Sequence, residues 1–180
     1  MKQTNSLTEG NVFQVLLSFS LPLLLANIIQ ALYGAVDLMV IGRYCSPESV
    51  AAVSTGTQVT QIITSMVSGL TLGGTILVGK YVGMKDLKQA ERTIGTTLTL
   101  FAIISLILTA AMLLGRDFIL TALKTPAPAY DLARQYVTIC FYGIFFICGY
   151  NAISAILRGY GDSRRPMYFV GFACLLNIAG

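Results

Sequence analysis

The stretch Val12–Ile41, VFQVLLSFSLPLLLANIIQALYGAVDLMVI, decides the fold. As a helix it would rise about 45 Å, against a bilayer hydrocarbon core of about 30 Å. Its one charged residue is Asp37. A charge at membrane depth costs roughly 2.5–3.5 kcal/mol on the more lenient insertion scale, so such a group normally faces a cavity or a partner. Asn27, Gln30, Tyr33 and Asp37 fall within about a third of the circumference at 100° per residue. One polar stripe on a membrane helix points to a lined cavity. Pro22 removes a backbone hydrogen bond and bends such a helix, as a packing kink or as a hinge.

Composition agrees. The chain has 180 residues, of which 55% are hydrophobic and only 11% charged. Soluble domains carry about 25% charged residues, so an all-α integral membrane protein is expected. The formal charge of +4 does not indicate nucleic acid, because the basic residues lie between apolar segments rather than in an aromatic-plus-basic patch. Cys45, Cys140, Cys148 and Cys174 form no CxxC pair, and histidine is absent. A metal or redox site is therefore not expected, and the cysteines read as helix-packing residues. With no histidine base and no nucleophile motif, no catalytic residue is assigned and an enzyme is not expected.

The first apolar run is too long for a signal-peptide core of about 7–15 residues and is expected to be retained. Four further apolar segments follow. The expected helices are about 12–42, 50–79, 93–114, 136–157 and 167–180, joined by polar or charged connections. The second is rich in hydroxyls and amides, among them Thr57, Gln58, Thr60 and Gln61, and is expected to be buried or to face water on one side. Its Gly69, Gly73 and Gly74 suit close helix contact. Asp162, in the turn before the last segment, is placed to cap a helix or to pair with Arg164 or Arg165. About 20 residues are needed to span a bilayer, so the reading is four full helices and a truncated fifth. Lys2, Lys80, Lys85, Lys88, Arg92, Arg158, Arg164 and Arg165 share one side, against Arg43, Arg116, Lys124 and Arg134 on the other. That asymmetry predicts a cytoplasmic N-terminus in a multi-pass protein of the plasma (inner) membrane.

Three patterns, in order, resemble the first half of a transporter of the multidrug and toxic compound extrusion (MATE) family. They are Gln30-Ala-Leu-Tyr33-Gly-Ala-Val-Asp37-Leu-Met-Val-Ile-Gly42, Gly69-Leu-Thr-Leu-Gly73 leading to Val78-Gly79-Lys80-Tyr81-Val82-Gly83, and Leu157-Arg158-Gly159-Tyr160-Gly161-Asp162-Ser163 with Pro166-Met167. The resemblance implies most of one six-helix lobe, with residues 1–180 a partial N-terminal transmembrane lobe. It also implies exchange of Na⁺ or H⁺ for cationic or amphipathic compounds, without another cofactor. By the same resemblance Asp37 and Asn177 belong to cation or proton coupling, with Na⁺ at Asp37 the one possible metal, while Gln30 and Tyr33 line the cavity. Asn27 joins them through the polar stripe.

On this reading the chain is the N-terminal fragment of a cation-coupled multidrug antiporter. Its expected partners are small cationic or amphipathic substrates, membrane lipids and the missing C-terminal remainder, with no nucleic acid. Two alternatives stay open: a lipid-linked oligosaccharide flippase of the same superfamily, and a small non-transporting membrane structural protein. The flippase predicts a more basic cavity, whereas the charge within the first helix is acidic. A lobe lacking its sixth helix is expected to be poorly stable alone.

Overall fold

Polar caps set where the first three helices begin. In a computed structural model describing residues 11–179, the Asn11 Oδ1 accepts the Phe13 N–H at 3.1 Å and opens α1, Val12–Tyr44. The polar lead through residue 10, Lys2 and Gly180 lie outside the described residues. Ser46 Oγ accepts the Ser49 N–H at 3.4 Å and starts α2, Pro47–Gly83, with Pro47 where no donor is needed. Asp86 Oδ1 accepts the Gln89 N–H at 3.1 Å and opens α3, Leu87–Ala122.

Two of these helices end on a lysine in the left-handed region. Lys85 has φ 59° and Lys124 has φ 53°. Each closes the paired carbonyl bonds of a Schellman ending, Lys85 N–H to Val82 O with Asp86 N–H to Tyr81 O, and Lys124 N–H to Thr121 O with Thr125 N–H to Leu120 O. Glycine occupies the equivalent position in the third such turn, Gly161 at φ 81°. A side chain there costs about 1–2 kcal/mol. Lys85→Gly and Lys124→Gly should therefore each stabilise the chain by about 1 kcal/mol, measurable as a higher melting temperature in detergent.

These three helices are long and apolar enough to cross a membrane. They overrun the apolar segments read from sequence, most plainly α3, which takes in Lys88 to Arg92 at one end and Arg116 and Asp117 at the other. Hydropathy marks the lipid-immersed length, and helical hydrogen bonding continues into the charged ends. The fourth apolar segment is not one straight rod. After a 3-10 turn, Ala127–Ala129, come α4, Tyr130–Tyr142, and α5, Ile144–Gly159, bent by 42° at Gly143. The bend brings the Cys140 carbonyl oxygen to 3.0 Å from where a Gly143 Cβ would stand. Counted as one span, the pair makes a fourth crossing. The last helix is α6, Arg164–Ala179. No strand occurs among the described residues.

The chain forms two compact units. One comprises Leu38–Thr71 and Thr96–Ala152. Its core gathers Ala52, Val59, Ile63 and Val67 of α2, Phe101 and Leu120 of α3, Val137 and Phe141 of α4, and Ile144 and Cys148 of α5. The α2 members are spaced seven, four and four residues apart, one helical face. Gly56 lies on that face, and a Cβ there would collide with the Tyr136 ring. Polar links lie beside the apolar core. Ser68 Oγ donates to Asn151 Oδ1 at 3.0 Å, and Asn151 Nδ2 donates to Ile147 O at 2.8 Å. Arg134 Nε donates to Asp117 Oδ1 at 2.7 Å, tying the end of α3 to α4.

The other unit comprises the described residues of Met1–Asp37 with Leu72–Gly95 and Ile153–Gly180. Here α2 and α5 meet through Gly159, where a Cβ would stand 2.8 Å from Val78 Cβ and 3.0 Å from Thr75 O. Thr75 Oγ1 donates to Ala155 O at 3.1 Å in the same seam. The close helix contacts thus fall at Gly56 and Gly159. Gly69 and Gly73, expected at such contacts, have open space where a Cβ would be.

Candidate transport site on the first helix

Most of α1 is uncovered. Its buried residues are Pro22 and Ala26, and those two positions define the side turned toward the rest of its unit. At 100° per residue, Pro22, Ala26, Tyr33 and Asp37 lie within about 60° of one another. Tyr33 and Asp37 are correspondingly half-buried. The acid therefore sits on the covered side of its helix.

Tyr33 lies within electrostatic range of Asp37, one turn on, and of Cys174 on α6. This places a carboxylate and a thiol each near the Tyr33 phenol, on two helices of the same unit. Cys174 carried no functional signal in the sequence, where the cysteines read as packing. The signal that could have found it is its spacing, three residues before Asn177 and so on a neighbouring azimuth of α6.

The remaining candidates are placed differently. Gln30 follows the covered side in register but is exposed, as are Asn27 and Asn177. Among the described residues, no hydrogen bond joins Asp37 to Asn27, Gln30 or Asn177. No group of three or more acidic, cysteine or histidine side chains able to hold a metal occurs among the described residues. A cation at Asp37 would draw on one carboxylate and neutral oxygens, a donor set suited to Na⁺ or a proton rather than to a transition metal.

Asp162 caps and pairs at once. Its Oδ1 accepts the backbone N–H groups of Arg164 and Arg165 at 3.1 and 3.2 Å, and its Oδ2 meets Arg165 Nε at 3.0 Å. Asp162 is thus the start signal of α6, the helix that carries Cys174 and Asn177. Asp162→Ala should cost about 1–2 kcal/mol through the lost cap, read as a lower melting temperature.

Helices long and apolar enough to cross a bilayer, the first of them carrying a half-buried acid, describe a polytopic membrane protein. The MatE family model matches residues 22–180, and the chain belongs to that family, whose members are transporters and not enzymes. It is 32% identical over 170 residues to the probable multidrug resistance protein YpnP of Bacillus subtilis (strain 168), covering 94% of this chain and 38% of that protein. It is 31% identical to the probable multidrug resistance protein YoeA of the same organism, covering 98% and 38%. Among solved structures, a MOP superfamily transporter from Pyrococcus furiosus, described as having a binding pocket of reverse polarity, matches with a TM-score of 0.90 and 27% identity. That match covers 99% of this chain and 40% of the other. The chain thus spans about 38% of the length of the curated relatives it matches.

Proposed function

We propose that this chain supplies part of the N-terminal transmembrane lobe of a cation-coupled multidrug antiporter, with Asp37 as its exchange site. The observation carrying this reading is the half-buried carboxylate on the covered side of α1, beside Tyr33. A carboxylate held away from bulk water requires a counter-charge. A proton, Na⁺ or a cationic compound can each supply it, and one acid serves one of them at a time. Inward-moving ion and outgoing cargo then exclude each other, which is the minimal chemistry of antiport.

Tyr33, Gln30 and Asn27 offer neutral hydrogen-bonding groups along the same helix, and Asn177 supplies an uncharged oxygen from α6. Fold alone does not set the sign of the cargo, and the Pyrococcus protein described as reversed in pocket polarity has a closely similar fold. The acid at position 37 favours cationic or amphipathic cargo. The Lys and Arg asymmetry supports a multi-pass protein of the inner membrane with its N-terminus in the cytoplasm. Ethidium resistance in an efflux-deficient bacterium, comparing wild type with Asp37→Asn at equal membrane levels, tests the proposal. Equal resistance from both would refute it.

A further inference from the structure

The fourth crossing is bent without a local cause. No proline stands between Pro128 and Pro166, and Gly143, at the bend, keeps right-handed helical dihedrals, φ −71° and ψ −15°. The helical ladder runs through it. Gly143 N–H donates to Ile139 O at 3.2 Å, and Ile147 N–H donates to Gly143 O at 3.1 Å. A change of roughly 30° in ψ separates this backbone from a regular helix, whose ψ is about −42°. Sharp kinks normally come from proline, a bulge or a group inserted into the ladder. Here the 42° bend is held by what each arm is fastened to.

The α5 arm is fastened to α2, where Ser68 Oγ donates to Asn151 Oδ1. The α4 arm is fastened to α3 by a ring of four residues. Arg116 Nη1 donates to Thr138 Oγ1 at 3.3 Å, and Thr138 Oγ1 donates to the Arg134 carbonyl at 2.6 Å. Arg134 Nε and Nη2 donate to Asp117 Oδ1 and Oδ2 at 2.7 and 3.4 Å. Asp117 Oδ2 closes the ring on Arg116 Nε at 3.9 Å. Tyr130 Oη adds a bond to the Asp117 carbonyl at 3.4 Å. Tyr130, Arg134 and Thr138 follow one another at helical i, i+4 spacing, so one face of α4 carries the whole attachment. All of these residues belong to one compact unit.

The ring is built to open. The Arg134 and Asp117 side chains are 44% and 53% exposed, and ion pairs so open to water stabilise little and weaken with salt. We infer that the Arg116–Asp117–Arg134–Thr138 ring is a latch that holds the fourth crossing bent at Gly143, and that its release lets α4 swing away from α3 into line with α5. A crossing with two shapes is the kind of two-state element that a transporter uses to change access. The latch does not rest on Asp37 as the exchange site, and its state is read without ion or cargo.

Electron–electron resonance distances on the full chain in nanodiscs test it, with spin labels at Phe118→Cys and Leu132→Cys and the four native cysteines replaced by alanine. Both labelled positions are exposed, at 79% and 42%, and neither belongs to the ring. Swinging the α4 arm, about 16 Å from Leu132 to Gly143, through the 42° of the bend moves its far end by about 12 Å. Wild type should show mainly the short distance. Asp117→Asn should raise the ratio of long to short about two- to fivefold, and the exchanged pair, Asp117→Arg with Arg134→Asp, should bring it back. Raising NaCl from about 0.1 to 1 M shortens the screening length to about 3 Å. It should shift wild type the same way and needs no variant to fold. Gly143→Ala should also favour the long distance, because in the bent form its Cβ stands 3.0 Å from the Cys140 carbonyl oxygen. A single distance that neither Asp117→Asn nor salt changes would overturn the latch, whatever the melting temperature does. A lengthening that the exchanged pair leaves in place would overturn the ion pair as its holder.

Discussion

Replacing Asp37 by asparagine should reduce ethidium resistance to that of cells lacking the transporter, with the protein still in the membrane at wild-type level. The amide has nearly the same size as the carboxylate and still hydrogen-bonds, so the packing of α1 around Pro22 and Ala26 has no cause to change. What disappears is the charge. An interaction with a charged group contributes about 1.5–3 kcal/mol, so affinity for a cationic cargo should fall by about 10- to 150-fold. The loss in transport should be larger, because the ion can no longer compete for the same group. Asp37→Glu separates charge from geometry. It should keep part of the activity, because it restores the carboxylate one methylene further out. Resistance assays and ethidium accumulation on wild type and both variants, each with membrane expression measured in parallel, check these outcomes.

A bulky residue at Gly159 should prevent folded protein from accumulating. An added Cβ would stand 2.8 Å from both Val78 Cβ and Cγ1 and 3.0 Å from the Thr75 carbonyl oxygen. None of these is the tip of a flexible side chain, so α2 and α5 would have to separate. Overpacking of this kind costs about 1–3 kcal/mol, and separation would also break the bond from Thr75 Oγ1 to Ala155 O. Gly159→Ala should therefore lower the melting temperature clearly, and Gly159→Leu should leave little monodisperse material in detergent. Gly73→Ala is the control. Nothing lies within 4 Å of its would-be Cβ, and alanine is the better helix former by about 1 kcal/mol. It should be neutral or stabilising, with size-exclusion profiles and melting curves separating the two sites.

The sequence made some of this legible and hid the rest for physical reasons. Apolar runs longer than a bilayer gave away α1, α2 and α3, since few soluble folds can hide so many consecutive apolar residues. Their ends were harder to read, because Lys88, Arg92, Arg116 and Asp117 remain helical although they would not be immersed in lipid. The bend at Gly143 was invisible, since an isolated glycine in an apolar run also reads as a packing position. The same ambiguity misplaced the close contacts. Gly69 and Gly73 looked like a packing pair, yet Gly56 and Gly159 are the glycines that neighbouring side chains and backbone crowd.

The candidate site divides in a similar way. Asp37 stood out because a charge in a membrane helix is expensive, and Tyr33 came with it through helical periodicity. Cys174 did not stand out, because nothing in its local sequence ties α6 to α1.

Competition at a single acid is the central claim, and proton exchange on cargo binding tests it most directly. Purified protein in weakly buffered, sodium-free detergent solution, titrated with ethidium at a series of pH values, should release up to about one proton per dye bound. Asp37→Asn should release none, and added Na⁺ should weaken dye binding to the wild type alone. Proton release and sodium sensitivity that persist in Asp37→Asn would contradict the account.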